Sequence, residues 1–363
     1  MAVSLPPHYQ AVVDETKCTY KQLGKCGLKV SVPILGCMGF GNKEWVWDWV
    51  LEEEESMNML KAAWDRGVNT WDTANVFSNG DSERIIGKTL KKYQIPRHKV
   101  VLITKVFCTV GEQRDNAMAY AEPLRGAKDY VNQSGLSRQS IFNNVNASLE
   151  RLQTDYIDLL LIHRSDDRVS YEETMEALHD LVRAGKVRYI GSSSMWAYQF
   201  ARMQFCAERN GWTKFVCMQN HYSLLYREEE REMNRFCNET GVGIIPWSPL
   251  CRGFLGRRLK DSLEGGTARA KDEILNGSRY VGIREDPDQK IIKRVEELAD
   301  KKGWTMVDVA LAWLNKRVAS PVVGMTTEKM LDECIAVRGK ILTEEEEKYL
   351  EEPYQPREVS GHR

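Results

Sequence analysis

The sequence predicts an α/β fold, a (β/α)8 TIM barrel with an N-terminal β-hairpin, and three observations lead there. Short β-branched apolar runs alternate with longer amphipathic stretches, the apolar runs number eight, and no Pro/Ser-rich linker divides them. Eight parallel strands with crossover helices in one outer ring can close on themselves, which gathers the chemistry at the carboxyl ends of the strands. The rival, a doubly wound open sheet, lacks its phosphate turn. Gly36-Cys-Met-Gly39-Phe-Gly41 is glycine-rich but leads into tryptophans rather than into a helix.

Taken in order, residues about 1–18 form an N-terminal extension and about 19–30 a small hairpin, Tyr20 to Gly24 against Gly27 to Val30, placed to plug the barrel bottom. The barrel spans about 31–350 and a C-terminal tail about 351–363, all as one domain, 1–363. Its strands are Val32 to Cys37, Thr70 to Thr73, Val100 to Thr104, Tyr156 to Ile162, Val187 to Ser192, Phe215 to Gln219, Gly243 to Trp247 and Pro321 to Val323. Between them, 3.6-residue periodicity predicts helices over Ser56 to Arg66, Ser137 to Leu152, Ser170 to Ala184, Tyr198 to Arg209, Glu228 to Thr240, Gln289 to Lys302 and Thr305 to Lys316. Ser170 with Glu173, and Thr305 with Asp308, have capping-box spacing. Gly67, Gly185 and Gly241 sit just past helix ends, where a left-handed residue is wanted.

Composition excludes several roles. With 363 residues, 42% hydrophobic and 28% charged, the chain can bury a sizeable core. The net charge of -1 and the absence of any long Lys/Arg run argue against nucleic acid or an anionic membrane as partner. No apolar stretch approaches the roughly 20 residues of a membrane span, and Met1 to Gln10 lacks an apolar signal core, so a cytoplasmic address is expected. Nine Cys without CxxC or Cys/His ligand spacing suit reduced thiols rather than disulfides or a metal site. Cys37, Cys108, Cys217 and Cys251 lie near strand ends, where plain packing accounts for them.

Polar residues end six of the apolar runs: Asp72, Lys105, His163, Ser192 to Ser194, Gln219, and Trp247 with Ser248. A barrel would bring all of them to one mouth. A buried Asp–Lys pair is often structural and a lone His is often a satisfied core residue, but six such ends together point to a site. An Asp beside a Lys holds the ammonium charged, that charge would lower the pKa of a neighbouring phenol, and a His can hydrogen-bond a carbonyl oxygen. Here the phenol is missing, because the segment Asp72-Thr-Ala-Asn-Val-Phe77 places a phenylalanine where it would stand.

These residues resemble the aldo-keto reductase superfamily. Its Asp-Thr-Ala-x-x-Tyr segment matches Asp72 to Ala74 and departs at Phe77; its strand-end lysine matches Lys105 in Ile-Thr-Lys, and its histidine matches His163 in Leu-Ile-His-Arg. Leu152 to Leu159, Gly185 to Ser192, Gln219 to Tyr226 and Pro246 to Gly253 extend the likeness over nearly the whole chain, which most resembles the fungal aryl-alcohol dehydrogenase and versiconal hemiacetal acetate reductase types. The resemblance implies reduction of an aldehyde or ketone by hydride from a nicotinamide. Asp72 and Lys105 would tune the proton donor and His163 would orient the carbonyl. Ser193, Ser194 and Gln219 would hold the carboxamide, with Asp72, Met38 and Gly39 also at the cofactor, and Trp247 would stack on the ring. Ser248, Leu250, Arg252 and Gly253 would wrap the pyrophosphate. The family lacks a βαβ cofactor turn, as this chain does.

Cofactor choice falls on Gly324 to Glu333, where relatives often carry Arg or Lys for the 2′-phosphate. Met325 brings no charge, leaving Gly324, Thr326, Thr327 and Lys329 there, so NADP(H) is favoured over NAD(H) by family habit. Trp45, Trp47 and Trp49 follow the first strand, and Trp45 and Trp47, with Phe77 and His163, are candidate walls of a substrate pocket suited to an aromatic or polycyclic carbonyl compound; they would serve equally to anchor a loop. Phe107 to Gly135 and Lys260 to Gln289 are long enough to make the remaining rim. Losing a positioned general acid slows reduction by roughly 10² to 10⁴-fold. Retention of Asp72, Lys105 and His163 favours a Tyr→Phe change by design over a natural member that reroutes its proton through water or His163. Two other functions remain open: a catalytically silent NADP-binding module, and a nonredox lyase or isomerase using Lys105 or His163. Family members occur as monomers and as assemblies, so oligomeric state is left open.

Overall fold

In the computed structural model, which describes residues 5–45, 47–115, 117–263 and 286–362, strand β1 (Thr19–Gln22) runs antiparallel to β2 (Lys29–Val32). This is the expected hairpin, shifted by a residue or two. Pro33 has no N–H to give to a ladder and separates β2 from β3 (Ile34–Gly36), so the first expected barrel strand loses Val32 to the hairpin. Seven more strands follow: β4 (Thr70–Asp72), β5 (Val101–Val106), β6 (Ile157–Ile162), β7 (Val187–Ser193), β8 (Cys217–Gln219), β9 (Gly243–Ile244) and β10 (Val322–Gly324). All eight from β3 onward pair in parallel, in the order β10-β3-β4-β5-β6-β7-β8-β9.

The flanking strands of that order also meet. Ala319 N–H donates to the Ile244 carbonyl and Val322 N–H to the Pro246 carbonyl, both at 2.9 Å. Pro246 and Pro321 can only accept, so this join is made by isolated bonds rather than by a ladder. The curled sheet with its outer helices is the (β/α)8 fold expected from the sequence.

Side chains alternate between the two faces of each strand. Ile103, Leu159, Leu161, Cys217, Ile245 and Val322 pack inside the curl with Leu23, Val30 and Ile34 from the hairpin end. The hairpin plugs this end, with Lys25 N–H donating to Gly241 O at 2.8 Å and the Lys21 ammonium to the carbonyls of Asn315 and Val318. Gly191 allows this packing, since a Cβ there would lie 2.5 Å from Cys217 Sγ and 2.6 Å from Leu161 Cδ2. The period of two then sets the chemistry. Two residues beyond Ile103, Leu161, Cys217 and Ile245 come Lys105, His163, Gln219 and Trp247, so one apolar layer is followed by one polar layer at the carboxyl ends.

Helices cover the outside, and the largest apolar cluster lies between them and the sheet. Thr305 and Asp308 form the full capping box, each side chain bonding the other's main chain at 3.1 and 3.0 Å. Ser170 caps Glu173 N–H at 3.1 Å, but the Glu173 carboxylate turns instead to Arg138 N–H at 2.8 Å, tying two neighbouring helices. Gly67, Gly185 and Gly241 all have positive φ, as expected. The helix expected from Ser56 starts at Glu53, three acidic residues in its first turn suiting the helix N-terminus. The helix expected over Glu228 to Thr240 is a 3₁₀ turn (Glu228–Glu230) followed by a helix from Met233, because the glutamates are committed to partners outside the helix: distant Tyr354 and Arg357 for Glu228, and Asn220 of the preceding loop for Glu229.

Helices Pro7–Glu15, Asp81–Lys92, Glu328–Ile335 and Glu344–Glu351 were not expected. The second completes the βα repeat between β4 and β5. Its N-cap is Gly80, left-handed at φ 93 and without a side-chain cap, so only the acidic Asp81 and Glu83 of the first turn mark its start. None of the nine cysteines is paired, and burial pushes the Cys237 and Cys334 thiols up to about 12. No described helix is long and apolar enough to cross a membrane.

Candidate active site

Register brings the first charges together. Asp72 ends β4 level with Ile103 of β5, and Lys105 is the next inward residue above Ile103. The Lys105 ammonium donates to Asp72 Oδ2 and to the Thr73 carbonyl, each at 2.7 Å. The second carboxylate oxygen, Asp72 Oδ1, accepts from Gln219 Nε2 at 2.9 Å, reaching across from β8. Asp72, Lys105 and Gln219 are each 3% exposed or less, so an ion pair is held deep in the site with its carboxylate bonded on both sides.

Above this pair sits a half-buried layer. Phe77 begins the turn after β4, and its ring centroid lies 5.2 Å from Lys105 Nζ and 5.9 Å from the His163 ring, edge to face. The turn is constrained on every side. Ser78 and Asn79 have φ of 47 and 52, and the Ser78 hydroxyl accepts from Asn42 N–H at 3.2 Å. Gly41 must lack a side chain, since a Cβ there would meet Ser78 Oγ at 2.0 Å. Asn75 donates to Cys108 O at 3.0 Å and Asn144 Oδ1 at 2.8 Å, and Asn79 exchanges bonds with Gly111. The rim segment after Phe107 is therefore tied directly to the Phe77 turn.

Trp45 and Trp47 pack in a buried cluster with Val50, Ala74 and Val76, against Met38, Trp49, Phe77 and Cys108. Trp45 meets Trp47 edge-on and Trp47 stacks on Trp49, both at 5.1 Å. Trp49 is the more exposed indole; a Cβ on Gly39 would lie 3.3 Å from it and 3.7 Å from Thr326 Cγ2.

On the opposite wall, Ser193 Oγ donates to Gln219 O at 2.7 Å and lies 3.2 Å from Ser194 Oγ. Ser194, left-handed at φ 47, gives its N–H to Asn220 Oδ1 at 2.7 Å and accepts from the Trp247 indole at 3.0 Å. His221 is sandwiched parallel between Tyr226 and Trp247, at 4.1 and 4.3 Å. Burial first, then the positive charges of Arg357 and Arg252, push its imidazole down to about 3. A neutral ring therefore backs Trp247.

Beyond Trp247, Ser248, Cys251, Arg252 and Gly253 all have positive φ, which curls the main chain into a concave turn of the kind that holds anions. Leu250 packs against the core beside that turn. Across the join, Gly324 ends β10, Met325 is buried, Thr326 Oγ1 lies 3.6 Å from Met330 Sδ, and Thr327 caps the helix whose exposed second residue is Lys329. Most of the second expected rim segment, residues 264–285, lies outside the described residues. Among the described residues no group of His, Cys, Asp and Glu is arranged to hold a metal ion.

Sequence reasoning missed Asn220, His221, Glu229 and the segment that ends at His362. The first two directly follow Gln219 in a stretch already singled out; the other two become neighbours only through tertiary packing.

The arrangement suits a dinucleotide. The Gln219 amide nitrogen is committed to Asp72, leaving its carbonyl to accept from an amide. Ser194 Oγ accepts from the Trp247 indole and, because the Ser193 proton goes to Gln219 O, gives its own proton to Ser193 Oγ over a long 3.2 Å, and a half-buried aromatic face adjoins a concave main-chain turn. The Aldo/keto reductase family model matches residues 34–355. An aldo-keto reductase of Fusarium vanettenii is 54% identical over 363 residues, covering 99% of this chain and 97% of its own. Versiconal hemiacetal acetate reductase of Aspergillus parasiticus is 48% identical over 347 residues, covering 94% and 98%. A Schizosaccharomyces pombe protein with the provisional name aryl-alcohol dehydrogenase is 46% identical over 349 residues, covering 94% and 97%. With a match spanning nearly every element that builds the mouth, the chain belongs to the aldo/keto reductase family.

Proposed function

We propose that this protein reduces the carbonyl of an aromatic or polycyclic aldehyde or ketone with NADPH, and that it does so slowly because Phe77 occupies the place of a phenolic proton donor. One observation carries the reading: the Lys105 ammonium, clamped by Asp72 and the Thr73 carbonyl, faces the Phe77 ring, with His163 edge-on to that ring. Bound at Ser193, Ser194, Gln219 and Trp247, the dinucleotide supplies the hydride. His163 orients the substrate oxygen. Lys105 and Asp72 set the field in which a proton must reach that oxygen, and no hydroxyl stands at Phe77 to deliver it.

The aromatic preference rests on the partly exposed indole of Trp49 and the ring of Phe77, both packed against the buried Trp45 and Trp47. The preference for NADPH rests on Lys329, exposed at the start of the helix after β10. The test is turnover of an aromatic aldehyde by the protein and by Phe77→Tyr, with NADPH and with NADH. A gain of at least about a hundredfold for Phe77→Tyr with NADPH is the expected result. Equal rates, together with tight NADPH binding, would favour a silent dinucleotide-binding module instead.

A further inference from the structure

The segment after the helix Glu344–Glu351 runs back to the candidate active site and is bonded along its way. The Tyr354 hydroxyl accepts from Arg227 N–H at 2.8 Å and donates to Glu228 Oε1 at 2.7 Å. Arg357 N–H donates to the same oxygen at 2.9 Å, and the guanidinium donates to Leu225 O at 2.7 Å and to Asp288 at 3.2 Å. Ser360 N–H donates to the Tyr226 hydroxyl at 2.9 Å. Every one of these partners except Asp288 belongs to the loop that follows Gln219.

The segment ends against the wall that carries Ser194. The backbone at Gly361, with φ 93, suits glycine, and a Cβ there would crowd Trp247 Cζ2 at 3.0 Å. His362 Nε2 lies 2.9 Å from Glu229 Oε1 and 3.4 Å from Asn220 Nδ2, and its ring meets Trp196 edge-on at 4.8 Å. Glu229 Oε2 in turn accepts from Asn220 Nδ2 at 2.6 Å, and Asn220 Oδ1 accepts from Ser194 N–H at 2.7 Å. The chain of contacts thus runs His362, Glu229, Asn220, Ser194, and the first two side chains are 7% and 2% exposed. Ser194 is a non-glycine residue at φ 47, a conformation that persists only where its surroundings over-determine it.

We propose that His362 is a positioning residue for the nicotinamide half of the dinucleotide: with Glu229 it fixes Asn220, which holds the strained main chain at Ser194 and so the hydroxyls that meet the carboxamide. This rests on the proposed function, which places the carboxamide at Ser193, Ser194 and Gln219. The effect is confined to that half. The site at Thr326 and Lys329 stands on the far side of the join between β9 and β10 and has no part in the chain of contacts.

The experiment compares binding of NADPH and of 2′,5′-ADP, which lacks nicotinamide, to the intact protein, to His362→Ala and to His362→Gln, with melting temperatures alongside. His362→Ala weakens NADPH about tenfold and leaves 2′,5′-ADP within twofold; His362→Gln, whose amide puts a donor in the place of Nε2 beside Glu229, recovers most of the loss. Adding Glu229→Gln to His362→Ala produces little further loss, because the amide oxygen of the new side chain can still accept from Asn220 and the contact with position 362 is already gone. NADPH affinity unchanged or tightened in His362→Ala would overturn the inference, as would equal losses for both ligands. If the intact protein binds 2′,5′-ADP and NADPH and only the variant comparison fails, the proposed function stands. If the intact protein binds neither, both fall.

Discussion

Lys105 holds its ammonium nitrogen 5.2 Å from the centre of the Phe77 ring while two 2.7 Å bonds, to Asp72 and to the Thr73 carbonyl, fix it from below. An ammonium has three protons, and these bonds engage two. The third is left for the space shared with Phe77, where a cation–π contact stands in for a hydrogen bond to a phenol. Phe77→Tyr is therefore expected to raise kcat on an aromatic aldehyde by about 10² or more, with NADPH affinity changed less than twofold. Steady-state kinetics and a cofactor titration check both halves. A rise in kcat/KM that came from KM alone would count against the acid role.

Removing the amine has a different signature. Lys105→Met leaves the Asp72 carboxylate buried with only Gln219 as partner, and about 3–5 kcal/mol of stability should go with it. Pairing it with Asp72→Asn should recover a good part of the loss, since the stranded charge is gone. Urea denaturation of the two single variants and the double variant measures this directly, and a double variant less stable than Lys105→Met would refute the account.

His221 predicts a response to acid. Its folded imidazole is pushed down to about 3, whereas in the unfolded chain it titrates near 6.5. The unfolded chain therefore takes up a proton below about pH 6.5 that the folded protein refuses until about pH 3. The contribution is fully present above 6.5 and is lost as pH falls through that window. His221→Phe keeps a flat ring between Tyr226 and Trp247 and should flatten the dependence of melting temperature on pH over this range. An unchanged slope would mean that other groups set it.

Lys329 predicts cofactor choice. Replacing it with alanine removes an exposed cation beside the site assigned to the 2′-phosphate, so NADPH should bind about tenfold more weakly, in line with the loss of one charge-assisted bond. NADH, lacking that phosphate, should bind as before. A parallel fall for both cofactors would place Lys329 elsewhere in the recognition.

The strands were legible because β-branched apolar runs carry their own signal, and the site because polar residues end those runs: Asp72, Lys105, His163, Gln219 and Trp247 with Ser248 stand where the apolar pattern stops. The helix Asp81–Lys92 was not, because Gly80 begins it without a capping side chain. Glu228 to Glu230 read as helix by local preference, yet their carboxylates answer to Tyr354, far along the chain, and to Asn220 and Tyr222 in the preceding loop, contacts that helical periodicity does not reveal. The same holds for His362, which is 133 positions beyond Glu229 in the sequence (362 − 229) and 2.9 Å from it in space. What a single strand or a single cap dictates could be read in advance; what two distant segments dictate jointly could not.

The two prolines at the meeting of β9 and β10 leave the curled sheet with a line of few main-chain bonds. Trp247 stands one residue past Pro246 on one bank, and Gly324, Thr326 and Lys329 follow Pro321 on the other. A dinucleotide gripped by its ring on the first bank and by its adenosine phosphate on the second would span that line like a bridge. Cofactor would then be a stiffening member of the architecture as well as a reagent, drawing closed a seam that the backbone holds with isolated bonds.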